Sequence, residues 1–439
     1  MAISSHTPVG PVDLDAPYPV SRRYALIVFA MTFGLMLSDY LSRQVINAVF
    51  PFLKADWSLS DAQLGSLVSV VALTIGLTSV PISLLADRLG KVKSITCMAL
   101  IWAAATLACG LAESFTALLI SRALVGLGEA GYGSAGAAIL VHAFPPRLHA
   151  TVMGAFLAAG MIGSVLGVVL GGVIAQSLGW KAAFIFMGVF GLTFAALFPM
   201  VVKEPPTTKH NDAPKVPVRK VLAGLLGTPT LMFVALAGGC TLFMQTSFIA
   251  WIPSYLNRYY ALEPAKAAMG TGVLIICISL GMILGGHLVD RLSQHNRVNR
   301  LRISMAYCLC SALTLLVALS LAPGTTQFVL IGLGLAVSSS FLGPVMAVAA
   351  DVTPKANHAT TFALLTLAYM LIGAAPGPLV TGWIADASNL KTALLLAPLG
   401  SLLGALFFFL AGRAYLQLRE HEHGDGPLLE SGANCAGKS

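Results

Sequence analysis

The chain has 439 residues, of which 57% are hydrophobic and only 10% charged; its net charge is +8 and its mean hydropathy +0.83. Soluble domains carry about 25% charged residues, so this composition excludes an ordinary soluble enzyme or binding domain. The apolar residues fall in continuous runs of the length a helix needs to cross a bilayer, about 20 residues, which also excludes the alternating strands of a membrane barrel.

Taken in chain order, residues 1–23 form a polar, Pro-containing tail that ends in Arg22-Arg23 and lacks a cleavable signal, so the first span is retained. Twelve spanning helices are predicted, at approximately 24–53, 62–86, 93–112, 115–143, 150–177, 181–202, 229–257, 266–289, 301–321, 327–350, 358–385 and 391–413. The longest polar stretch, 203–228, splits them into a six-helix bundle over 24–202 and a second over 229–413, and a tail follows over 414–439. The expected fold is an all-α membrane protein: twelve transmembrane helices in two six-helix pseudo-symmetric bundles.

Lysine and arginine placement sets the expected orientation. Of the 26 basic residues, nineteen lie in the tails and even-numbered loops, five in the odd-numbered loops (Lys54, Lys181, Arg258, Lys266, Lys391), and Arg43 and Arg122 lie inside spans. This bias puts both termini and the linker in the cytoplasm, with the chain multi-pass in the inner membrane. It also accounts for the basic pI without nucleic acid, since the charges are scattered and lack interleaved aromatics. Six of the seven cysteines fall inside spans without metal-ligand spacing and read as small apolar fillers, while Cys435 sits in the tail; no metal or cofactor is expected. His142, His149, His287 and His358 sit at span ends, where a solvated role is expected.

The two halves repeat. "SLLADRLGKVKS" (83–94) after the second span matches "GHLVDRLSQHNR" (286–297) after the eighth, and "HATVMGAF" (149–156) matches "HATTFALL" (358–365). Parallel repeats of this kind place a binding site near the midplane between them. The most informative residues lie at that depth. Asp39 and Arg43 sit one turn apart in the first span, and Arg122 and Glu129 in the fourth. A charge at the bilayer centre costs about 2.5–3.5 kcal/mol or more, so such groups face a cavity or one another. Burial disfavours the charged form of a carboxyl and a neighbouring arginine favours it; an acid balanced between the two can load and release a proton. Glu129 and Asp39 are therefore the candidate proton-coupling residues, against the alternative of permanently ionised partners of the arginines. Arg43, a planar fork of donors suited to carboxylates, is the candidate anion anchor. Arg122 is either a second substrate ligand or a tie between span backbones. Tyr40, Tyr132, Gln245 and Trp251 are candidate cavity-lining residues, with packing in the core the equal alternative. Gly160, Gly163, Gly167, Gly171 and Gly172 form stripes for close helix contact.

"SLLADRLGKVKS" resembles the loop signature of the major facilitator superfamily, Gly-x-Leu-Ala-Asp-Arg-x-Gly-Arg-Lys, with Ser83 in place of the leading glycine. The second copy keeps Gly286, Asp290 and Arg291. The resemblance implies that Asp87, Arg88, Asp290 and Arg291 act in gating. "RALVGLGEAGYGSAGAAIL" (122–140) and "DYLSRQVI" (39–46) are similar to the spinster-like transporters and the related anion:cation symporters. Arg122, Gly126, Glu129, Ala130, Tyr40 and Arg43 match; Asp39 stands where asparagine is usual and Ser42 where aspartate is usual. Antiporter members carry a proline where this chain has Val168 and Val169. The resemblance implies a monomeric secondary transporter that moves a small organic anion with protons by alternating access. The runner-up is an exporter of lysolipids or other amphipathic compounds, followed by a non-transporting receptor. No nucleophile–base constellation suggests an enzyme.

Overall fold

The structure is a computed structural model that describes residues 18–204, 227–294, 296–354 and 357–424. The expectations placed on the N-terminal tail before Tyr18, on linker residues 205–226, on the tail from 425 (Cys435 included) and on the side chains of Asp87 and Arg88 lie outside the described residues.

Twelve helices long and apolar enough to cross a membrane follow one another without a strand among the described residues. We number them α1 (Arg22–Trp57), α2 (Asp61–Leu89), α3 (Lys91–Gly110), α4 (Phe115–Ala143), α5 (Pro146–Leu178), α6 (Trp180–Val201), α7 (Pro229–Tyr259), α8 (Pro264–Leu292), α9 (Asn299–Ser320), α10 (Thr325–Asp351), α11 (Thr360–Ala387) and α12 (Leu390–Leu418). Side chains such as Leu77, Leu284, Leu288 and Trp383 are exposed on their outer surfaces. Every backbone polar group inside a helix is satisfied locally, so only these apolar faces need meet lipid.

The repeat read from the sequence is present in three dimensions. α2 and α8 both have 29 residues and both end on the leucine of their Asp-Arg-Leu. The loops that precede them each contain a left-handed non-glycine residue, Ser58 (φ 51°) and Ala261 (φ 52°). These two stand 203 residues apart, the offset that also separates Asp87 from Asp290. The entries to α5 and α11 match as well. His149 Nε2 lies 2.8 Å from Phe144 O, and His358 Nε2 lies 2.9 Å from Thr353 O, five residues back in each case. The solvated role expected for these two histidines is thus corrected: both are half-buried and tie down the turn that leads into a helix.

Some helix ends are set by local chemistry. Ser60 caps α2 in a capping box with Gln63, each side chain bonding the other residue's backbone N–H. At the end that carries the termini, Glu204 follows α6 and accepts hydrogen bonds from the backbone N–H groups of Lys91 and Val92 at the start of α3. A carboxylate is favoured there by the orphan donors and the positive end of the helix dipole.

Close packing positions α1. A Cβ on Gly163 would stand 2.7 Å from Leu37 O, and one on Gly167 would stand 2.9 Å from Leu41 O. The predicted small-residue stripe therefore lets α5 lie directly on the backbone of α1, on the turns that carry Asp39, Tyr40 and Arg43. Gly172 of the same stripe instead faces the second half, against Ala268 of α8.

Several departures from regular helix were not anticipated, among them a π-helical turn at Met370–Ala374 in α11. α4 is interrupted at Ala130 and Gly131, directly after Glu129, and α10 passes through a 3-10 turn at Ser339–Phe341. Broken helices at mid-membrane are tolerated where they are buried in protein or line a cavity.

Candidate functional site

At the centre of the first half, Arg43 of α1 reaches α4. Its Nε donates to Glu129 Oε2 at 3.0 Å, and Nη2 lies 2.8 Å from the same oxygen as an ion pair. The same Nη2 lies 3.6 Å from Asp39 Oδ1 one turn away on α1, an ion pair too long for a hydrogen bond. One guanidinium thus bridges the two carboxylates, and the expectation that Asp39, Arg43 and Glu129 share a layer agrees with their placement. Glu129 Oε1 and Asp39 Oδ1 are buried and have no hydrogen-bond partner. A buried, unsatisfied polar group costs about 1–3 kcal/mol, more when charged.

Accessibility is uneven within this cluster. The Arg43 side chain is 26% exposed, while those of Asp39 and Glu129 are 6% and 0% exposed. The cation is the member that a ligand can reach. Tyr40 flanks it, with Arg43 Cζ 5.0 Å from the ring centroid, and a Cβ on Gly160 would touch the other side of that ring. A tyrosine face so placed holds the guanidinium by a cation–π contact.

Arg122 stands apart from this cluster. It is fully buried and donates Nε to Leu67 O (3.1 Å), Nη1 to Ser42 O (3.0 Å) and Nη2 to Arg43 O (3.2 Å). Its placement corrects the expectation of a substrate ligand: the guanidinium is committed to the backbones of α1 and α2, and of the two sequence readings the structural tie is the one that matches. Tyr132 is corrected in the same way. It is fully buried, donates its hydroxyl to Thr32 O at 2.6 Å, and packs its ring against Trp102 and Phe156.

In the second half, Trp251 of α7 is also fully buried and faces no cavity. Its Nε1 donates to Pro378 O at 3.0 Å, and its ring lies 5.1 Å from that of Phe50 on α1. This is a further correction, because Trp251 closes the seam between the halves beyond Arg43. α1 and α7 run in the same direction, and the Phe50–Trp251 contact sets their register. Gln245, six residues before Trp251 as Gln44 is before Phe50, retains 8% exposure.

Sequence reasoning missed Gln44 and Asn47. Asn47 Nδ2 donates to Gln44 Oε1 at 2.7 Å, and Asn47 Oδ1 is buried without a partner. They continue the polar stripe of Asp39 and Arg43 along α1, and two amides within an apolar run were the available signal. The repeated loop motif is partly resolved: Asp290 and Arg291 are exposed, and among the described residues neither makes an ion pair. Among the described residues no group of three or more His, Cys, Asp or Glu converges as a metal site would require.

The hydrogen bonds that join the two halves cluster at the end of the molecule away from the termini. Arg258 of α7 grips Asp61 of α2, Asp386 of α11 accepts from the start of α2, and Gln176 of α5 accepts from the start of α8. Among the described residues these bonds close that end.

The comparisons with known proteins agree with this architecture. A model of the Major Facilitator Superfamily matches residues 32–375. The chain is 27% identical to the hexuronate transporter of Bacillus subtilis (strain 168) over 271 residues, 60% of this chain and 64% of that protein, so it spans just under two thirds of that relative's length. It is 23% identical to the probable L-galactonate transporter of Escherichia coli (strain K12) over 430 residues, 92% of this chain and 93% of that one. Among solved structures, a bacterial homologue of the human lysosomal transporter Spinster, in an inward-facing and unoccupied conformation, superposes with a TM-score of 0.81. That match has 22% identity and covers 91% of this chain and 99% of the other. With twelve spans, a doubled loop motif and a family match over most of its length, the chain belongs to the Major Facilitator Superfamily and is a membrane transporter of that type.

Proposed function

We propose that the protein is a proton-coupled symporter of a small organic anion that works by alternating access, with a carboxylate of the substrate held by Arg43. One observation carries the reading: the single accessible cation of the site is shared between two buried carboxylates, each of which has a buried oxygen without a hydrogen-bond partner. Asp39, Glu129, Arg43 and Arg122 together are formally neutral. A carboxylate brought to Arg43 adds one negative charge to a poorly solvated site, where an unpaired charge is costly. A proton on Glu129 or Asp39 cancels that charge, satisfies an orphan oxygen and frees the Arg43 donors for the substrate. Proton and anion then enter together because neither is well accommodated alone.

The polar residues that follow Arg43 on α1, Gln44 and Asn47, suit a substrate that carries hydroxyl groups as well as a carboxylate. This agrees with the substrates named for the relatives, so hexuronates and hexonates are the first compounds to assay. The arginine and lysine bias supports an inner-membrane orientation with both termini and the linker cytoplasmic, and on that orientation the closed end is periplasmic. The two halves rock about the Arg43 layer as rigid bodies, and the protein acts as a monomer.

The test is uptake of radiolabelled hexuronate or hexonate into proteoliposomes with an inward proton gradient. Accumulation that collapses on adding a protonophore is expected. Uptake that does not respond to the gradient would remove proton coupling. Efflux of a lysophospholipid with no uptake of either anion would favour the amphipath exporter instead.

A further inference from the structure

The closed end of the molecule carries a charge arrangement that the Arg43 site does not use. Asp61, the first residue of α2, is 3% exposed. Its carboxylate accepts from Arg258 through two parallel bonds, Nη1 to Oδ2 at 2.7 Å and Nη2 to Oδ1 at 2.6 Å, and Lys54 Nζ lies 2.6 Å from Oδ1. The backbone of the same residue faces a second acid. Asp386 Oδ1 accepts from Asp61 N at 2.7 Å and Oδ2 from Ala62 N at 2.8 Å. Lys54 and Asp61 belong to the first half, Arg258 and Asp386 to the second. α2 and α11 come into backbone contact beside them, since a Cβ on Gly382 or Gly65 would run into Asp61 O or Pro378 O.

The repeat supplies an internal comparison. The position equivalent to Ala62 is Ala265, at the start of α8, and its N–H donates to Gln176 Oε1 at the end of α5 at 2.9 Å. The position equivalent to Asp61 is Pro264, which has no N–H to give. One seam of this end, α5–α8, is therefore held by a single neutral hydrogen bond. The other, where α2 meets α7 and α11, is held by two charge-assisted carboxylates, and such bonds are about twice as strong as neutral ones. Symmetric packing alone does not require that difference.

We propose that the Asp61–Arg258–Asp386 cluster is the latch that holds this end closed, and that it opens by exchange of partners. When α2 separates from α7 and α11, Asp61 keeps Lys54, its neighbour in the same half. Arg258 passes to Asp386, its neighbour in the other half. The two ends that carry them are already joined through Tyr259, whose hydroxyl lies 3.5 Å from Asn389 Oδ1 and accepts from Lys391 N at 3.1 Å. Each half is then locally neutral, and no charge is left unpaired in the opened mouth. The latch is strong when closed and cheap to undo, which a gate that must cycle requires. The inference rests on the proposed rocking of the halves, but its test needs no substrate, so its failure is separable from failure of the transport reading.

The experiment is a distance measurement by double electron–electron resonance on the full chain in lipid nanodiscs. Spin labels go on Glu113→Cys and Ala322→Cys, exposed positions in the α3–α4 and α9–α10 loops at this end, with the seven native cysteines replaced by alanine. Arg258→Gln and Asp386→Asn are each expected to raise the ratio of long-distance to short-distance populations by about tenfold, because each removes buried charge-assisted bonds from the closed state and only a solvated ion pair, worth little, from the open one. Gln176→Ala should change the ratio less than about twofold, as loss of one exposed neutral hydrogen bond does. Lys54→Gln should not raise it, because Lys54 serves Asp61 in both states. Should Arg258→Gln not fold, Arg258→Lys carries the same expectation, since it keeps the charge but loses the paired contact. Unchanged distances in both the Arg258 and Asp386 variants, or an equal effect from Gln176→Ala, overturn the latch. Lengthening by Lys54→Gln overturns the exchange.

Discussion

Arg122 holds the backbone of Arg43: its Nη2 donates to Arg43 O at 3.2 Å, while Nη1 takes the carbonyl of Ser42 and Nε that of Leu67. One arginine thus fixes the position from which the other works. The two should respond differently to substitution. Arg122→Gln removes three charge-assisted bonds to helix carbonyls inside the first half and should destabilise the protein by about 3–5 kcal/mol, since a hydrogen bond to a charged group contributes about 1.5–3 kcal/mol. A large fall in melting temperature and in monodisperse yield is the expected readout. Arg43→Lys should leave the melting temperature within a few degrees of wild type yet weaken anion binding about tenfold or more, because an ammonium cannot make the forked contact. Equal melting temperatures for both variants would contradict this division of labour.

Glu129 stands at the break in α4, with Oε2 on Arg43 and Oε1 unpartnered. Glu129→Gln preserves shape and can still hydrogen-bond Arg43, but it cannot exchange a proton. It should retain substrate counterflow, which moves no net proton, and lose accumulation driven by a pH gradient. If gradient-driven uptake survives, Asp39→Asn is the variant to measure next, and survival in both removes proton symport.

The contact between α5 and α1 should show in a pair of glycines on one helix. Gly163→Val pushes into Leu37 O and the Tyr40 side chain, so it should cost about 1–3 kcal/mol as overpacking does and displace the Arg43 turn. Nothing lies within 4 Å of a Cβ on Gly154, so Gly154→Ala should be near neutral in a thermal melt. Equal effects from the two variants would show that α1 does not rest on α5 as described.

Asp290 is exposed and, among the described residues, makes no ion pair. Asp290→Asn should therefore leave the stability of the protein unchanged and lower its turnover, if the residue acts in the state closed at the terminal end. Stability by melting and initial uptake rate, measured side by side, decide this. Full activity would leave the repeated Asp-Arg with a topological role alone.

Orientation is checked separately. Thr208→Cys in the linker of a cysteine-free chain should resist a membrane-impermeant maleimide in intact cells and react once the membrane is opened. Labelling in intact cells would reverse the assignment of the closed end as periplasmic.

The number of spans, the division into two halves and the presence of a charged layer at mid-depth were all legible in the sequence. Lipid imposes a local rule: each crossing must be apolar over its own length and satisfy its own backbone, so each span announces itself without reference to its neighbours. Asp39, Arg43 and Glu129 were visible for the same reason, as violations of that rule. What those residues contact was a tertiary matter. Arg43 and Arg122 look alike in sequence, each a lone arginine in an apolar helix; only the packing of α1 on α4 gives one of them carboxylates and the other carbonyls. Tyr132 and Trp251 were open between core and cavity, because a helix surrounded by lipid on one side and protein on the other is apolar all round, and periodicity does not say which face is which. The Asp61 latch was hidden more deeply still. Its partners stand 197 and 325 residues away, and in the sequence they read as ordinary loop charges until the two halves close on one another.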